Sequence, residues 1–167
     1  MTGKKYKWGS VMNMIIAEHW NSEKHELPGM NGILFPNGTI TILNTYSTYN
    51  PNTKESELFC SPLCDTTIES IEKYNNESWT VVDEWVSMDY QGGKILGGDG
   101  QMGNEGFIAC TDAEDQLVWG MFFENTNPIK SLELKENILI AINEHSELQI
   151  EINVENLTQI KMTCLKS

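Results

Sequence analysis

Apolar residues recur mostly at every second position along this chain, the spacing that predicts strands. The clearest local signal is Gly32-Ile33-Leu34-Phe35 and Thr39-Ile40-Thr41-Ile42-Leu43 around Pro36-Asn37-Gly38. Asn-Gly tolerates the positive φ of a tight turn, so 32–35 and 39–44 are expected to pair antiparallel. In 79–88, Trp79, Val81, Asp83 and Trp85 fall on one face of a strand and Val82, Glu84, Val86 and Met88 on the other. Both faces are mixed, as in a strand that is covered on both sides or carries a binding surface. Residues 106–125 read as two strands around an acidic turn, Asp112-Ala113-Glu114-Asp115. Further on, Ile138, Ile140 and Ile142 alternate with Leu139, Ala141 and Asn143. Leu148, Ile150, Ile152 and Val154 alternate with Gln149, Glu151 and Asn153, and Ile160, Met162 and Cys164 continue the pattern. This is a meander with one buried and one wet face. One short helix is expected in Asp65–Tyr74, with Thr66 and Glu69 spaced as a capping box and Ile68 and Ile71 on one side. The predicted class is mainly β: an antiparallel sandwich or a curved half-barrel with one short helix.

Length and charge narrow this reading. The chain of 167 residues is expected to form one domain, 1–167. A chain of that size buries about 70% of its unfolded surface and holds a core without metal or disulfide. It carries 24 acidic residues against 11 lysines, with no arginine, for a net charge of -13. Such a balance argues against nucleic acid and anionic membranes as partners and favours a basic protein surface. Acidity also serves solubility alone. The lysines and apolar residues of 1–20 mimic a signal peptide, but Asn13 breaks the run and no small-x-small cleavage site follows. No stretch is long enough to span a membrane, and the expected location is the cytoplasm.

Gly98-Asp99-Gly100-Gln101-Met102-Gly103 spells G-x-G-x-x-G. A dinucleotide loop needs a strand before it and a helix after it, whose N-terminus takes the pyrophosphate. Here Gly106-Phe107-Ile108-Ala109 reads as another strand, so the glycines are expected to serve turns or bulges. A P-loop lysine is missing, and Gly103 puts no oxygen at the fifth position of a calcium loop. Cys60 and Cys64 are spaced C-x-x-x-C, unlike redox or zinc pairs, while Cys110 and Cys164 sit in apolar runs as small hydrophobes. His19, His25 and His145 match no metal-site spacing, and the first two read as a solvated strand end or loop. No G-x-S-x-G elbow occurs. No cofactor, metal or catalytic residue is assigned, and the chain is not read as an enzyme. A glycosidase using paired carboxylates is the weakest alternative.

The glycine-rich Gly97-Gly98-Asp99-Gly100, the strand from Gly106-Phe107, the strand with Trp119 and Phe122-Phe123, and Asn125-Thr126-Asn127-Pro128 together form a familiar order. This stretch, 97–128, resembles immunity proteins of bacterial contact-dependent growth inhibition and related polymorphic toxin systems, over about a fifth of the chain. The resemblance implies a small cytoplasmic inhibitor, without catalytic residues, that binds the C-terminal toxin domain of a secreted protein. Many such toxins are nucleases with basic clefts, an RNase being the expected case, and a monomeric inhibitor in a 1:1 complex would cover the active site. An acidic face suits that task as a substrate mimic. The acids expected to carry it lie near turns: Asp99 and Glu105 in the glycine loop, and Asp112, Glu114 and Asp115 in the acidic turn. Asp83, Glu84, Trp85 and Asp89 form a second patch. Core packing is the competing role for Trp85 and Trp119. The alternative function is a lectin-like or other small-ligand binding β-domain, with Tyr46-Ser47-Thr48-Tyr49-Asn50 as a sugar-holding loop.

Overall fold

The computed structural model describes residues 13–165. Residues 1–12, which carry most of the signal-like stretch, lie outside the described residues. The chain is mainly β and antiparallel, and three layers result. The middle layer is a seven-stranded sheet ordered β4 (Glu55–Thr67), β3 (Thr39–Asn50), β2 (Gly32–Leu34), β9 (Leu117–Phe123), β8 (Gly106–Thr111), β7 (Gly93–Asp99) and β6 (Asp83–Tyr90). One of its faces packs on a four-stranded meander of β10 (Ile129–Lys135), β11 (Ile138–Asn143), β12 (Leu148–Asn153) and β13 (Ile160–Cys164). The other face carries α1 (Met14–His19), α2 (Ile68–Tyr74) and a ribbon of β1 (Glu26–Pro28) with β5 (Trp79–Val81).

The 32–44 hairpin forms as expected, with Gly32 opposite Ile42 and Leu34 opposite Ile40. Its loop is Pro36-Asn37-Gly38, closed by Gly38 N donating to Phe35 O, and only Gly38 takes a positive φ, 89°. The acidic turn also forms as expected, with β8 and β9 on either side of it. The meander gains β10 in front of the three strands that the alternation predicts. On β11 the buried side chains are Leu139, Ala141 and Asn143, while the isoleucines are half-buried. Asn143 is tolerated inside because its Nδ2 donates to Thr126 O and its Oδ1 accepts from Glu147 N and Leu148 N.

Three expectations need correction. The strand expected over 79–88 breaks at Val82, and its two pieces belong to different sheets. Val82 is buried and its N–H donates to His25 O, which turns the chain from the ribbon into the middle sheet. The helix cap is Thr67 and not Thr66, since the Thr67 side chain accepts from Ser70 N. Among the described residues there is a second short helix, α1, capped by Asn13, which accepts from Ile15 N. The asparagine that interrupts the apolar run is therefore a helix start.

Candidate functional site

Four of the expected acids converge. Glu84 and Asp89 on β6, and Asp112 and Asp115 in the β8–β9 turn, line an open hollow of about 400 Å³ with His25, Lys94 and the Gly92-Gly93 turn. The hollow lies on the sheet face that bears the helices, since it also includes Leu96 of that core. Asp89 and Lys94 are opposite one another across β6 and β7, and Lys94 faces Thr111 on β8. Pleating therefore sends Asp89 and Lys94 to one side together with Thr111. The turn is held from within: Asp112 Oδ1 accepts from Glu114 N at 3.0 Å and Gln116 N at 2.9 Å. Asp115, at φ 60°, reaches back to His25 Nε2 at 3.2 Å. Glu114 is exposed at the tip of this turn.

The rest of the expected set separates. Asp83 and Asp99 are opposite each other at the end of the β6–β7 pair, next to the bulge at Trp85. Asp99 Oδ1 is buried without a hydrogen-bond partner. Burial holds the Asp99 carboxyl above the usual range; the Trp85 indole opposes this, and the charges of Asp83 and Glu144 reinforce it. Trp85 itself is 46% exposed, whereas Trp119 is in the core. Glu105 is buried, and its carboxylate folds back to accept from Met102 N at 2.7 Å. It closes the glycine loop instead of facing solvent.

That loop is a hairpin between β7 and β8, and no helix follows Gly103. The bulge is on the neighbouring strand β6, and it explains Gly98: a Cβ there would sit 1.9 Å from Asp83 O. The glycine lets β6 bend tightly across its neighbour.

His19 and His25 are half-buried and held by partners, whereas His145 is exposed. The His19 ring stacks on Trp79 at 3.6 Å, with Nδ1 3.1 Å from Glu26 Oε1 and Nε2 2.6 Å from Glu72 Oε1. Trp79 Nε1 donates to the same Glu72 oxygen. Burial raises the Glu26 carboxyl, but hydrogen bonds from Lys24 and His19 outweigh it, leaving the group below its ordinary value. His25 stacks on buried Trp20 at 4.2 Å. These two stacks tie α1, β1, α2 and β5 together and hold one wall of the hollow. The i, i+6 spacing of His19 and His25 carried no hint of them: Trp79 and Glu72 are distant in sequence from His19, and Trp20 meets His25 only because the chain turns back between them.

No group of His, Cys, Asp and Glu suited to a metal ion occurs among the described residues. All four cysteines are free. Cys60 and Cys64 are opposite Thr45 and Ile42, so the bulge between them sends their side chains to different faces. Burial pushes the Cys60 thiol up to about 11 and the Cys110 thiol up to about 12, which keeps both unreactive. Tyr46–Asn50 is the distal part of β3, not a loop, and Tyr46 stacks on Phe59 of β4 at 4.9 Å. No helix among the described residues is long and apolar enough to cross a membrane. In comparisons with known proteins, no family model, curated protein or solved structure matches this chain.

Proposed function

We propose that this protein works by binding: the acidic hollow covers a basic surface on a partner, and the chain is a cytoplasmic immunity protein that neutralises a nuclease-type toxin domain in a 1:1 complex. The supporting observation is the convergence of Glu84, Asp89, Asp112 and Asp115 on one hollow, in a chain of net charge -13. The toxin part of the reading rests on the resemblance in 97–128.

The physics of such a surface is favourable. Excess negative charge steers a cationic partner and speeds encounter. Asp112 is already held by two turn amides, so it loses little freedom when a lysine or arginine arrives. Lys94 within the hollow repels a cation locally, which favours a partner whose charges approach the rim acids and avoid the β7 floor. Trp85 at the neighbouring edge offers the kind of exposed aromatic that anchors protein interfaces.

The test is to mix the protein with the toxin domain encoded beside it, and to follow nuclease turnover and association from low to high salt. Stoichiometric inhibition, with association that slows steeply as salt rises, supports the proposal. Turnover that is indifferent to excess protein removes the toxin reading. Inhibition at a salt-independent rate removes its electrostatic part.

A further inference from the structure

We propose that the outer edge of β4, over Glu55–Ser61, is a strand-addition site for an extended basic segment of a partner protein. β4 ends the seven-stranded order and β3 is its only ladder partner among the described residues; β13 of the meander comes close to it, but no ladder joins the two, so the outward N–H and C=O groups of β4 have no ladder partner. Natural edges are usually guarded by lysine, proline or a bulge. Here the guards sit in the second half of the strand: Pro62, and a register shift that leaves Leu63 unpaired and 65% exposed. From Glu55 to Ser61 the register runs without interruption, and no lysine or proline occurs. Five of its seven residues are exposed, while Leu58 and Cys60 are half-buried against the core.

The side chains choose the occupant. Glu55, Glu57 and Phe59 share one face, opposite Asn50, Thr48 and Tyr46, and the Tyr46 and Phe59 rings stack while 49% and 36% exposed. The two glutamates are the only charged residues on the unguarded stretch. A strand laid alongside places its alternate side chains against Glu55, Glu57 and Phe59. The matching sequence has lysine or arginine at two alternate positions and an apolar residue at the third. A second copy of this chain fits less well, because two chains of net charge -13 repel each other. β4 and β6 are opposite ends of the sheet, so occupation of this edge is separable from occupation of the acidic hollow.

The test uses the whole chain, isotopically labelled, and needs no toxin. It is titrated with an end-blocked peptide of alternating lysine and valine, and with a glutamate–valine peptide of the same length. Backbone amide shifts and hydrogen exchange are then read residue by residue. The lysine peptide is expected to bind, with shifts and slowed exchange confined to Glu55–Ser61 and its β3 partners, while the glutamate peptide does not. Glu55→Lys with Glu57→Lys should weaken the lysine peptide about tenfold and admit the glutamate peptide, since each cross-strand charge pair changes sign. Both positions are exposed, and unchanged amide shifts elsewhere establish that the variant is folded. Absence of binding, perturbation at Glu84, Asp89 and Asp112 in place of β4, or peptide-independent protection of Glu55–Ser61 that grows with protein concentration would each overturn the proposal.

Discussion

β8 and β12 are both six residues long, yet β8 is buried at every position and β12 at every second one. The difference comes from what covers them. β12 belongs to an outer sheet with one face on the core, so Leu148, Ile150 and Ile152 point in and Gln149, Glu151 and Asn153 point out. β8 lies inside the three layers, with Ile108 and Cys110 toward the meander and Phe107 and Ala109 toward the helices. An unbroken apolar run and a strict alternation are thus the same structure in two environments. The candidate site lies where the inner sheet loses its cover, at β6 and the β8–β9 turn.

Truncation in the doubly covered strand should have the largest effect. Ile108→Ala is expected to lower stability by about 2–5 kcal/mol, while Glu151→Ala on the wet face of β12 stays within about 0.5 kcal/mol. Denaturant unfolding of the two variants checks the contrast, and similar losses would break it. Gly98→Ala comes next, at about 1–3 kcal/mol, because its methyl group meets the β6 backbone. Amide exchange in that variant should accelerate along β6 before it does along β8.

His19→Ala tests the layer that makes the inner sheet an inner one. Loss of the ring leaves Glu26 and Glu72 facing each other and should destabilise by about 1–2 kcal/mol, with exchange faster in α1 and α2 than in the meander. Glu26 adds a pH signature. Its carboxyl lies below the ordinary value of 4.5 in the folded chain, so its stabilising contribution is complete above that value and fades as pH falls through the lower folded one.

Asp99 should behave in the opposite sense and with the smallest effect. Its folded carboxyl is held above the ordinary value of 3.8, so ionisation opposes folding at neutral pH. Asp99→Asn is therefore expected to raise the melting temperature slightly at pH 7. The gain should shrink as pH falls through the raised folded value and be absent below 3.8, where the wild-type carboxyl is protonated in both states.

Much of this architecture was legible in the sequence. Pro36-Asn37-Gly38 and the acidic turn set two hairpins, and the alternation after Ile138 set the meander. The break at Val82 was not legible, because an apolar residue amid alternating ones carries no mark of changing sheets. α1 was hidden because its six residues are too few for a helical period to stand out. For the candidate site, sequence supplied the acids but not their sorting. Glu105 turns inward to accept from Met102 N at 2.7 Å, Lys94 enters the hollow across the tight Gln91-Gly92 turn, and His25 reaches Asp115 from 90 residues away.

The most direct test of the acidic hollow is the association rate of the proposed toxin-domain partner with wild type and with Glu84→Lys/Asp89→Lys, each across a salt series. Both positions are exposed, so the variant should keep its fold. The account predicts association at least about tenfold slower in low salt, with a flattened salt dependence. Equal rates and an equal salt slope would contradict it.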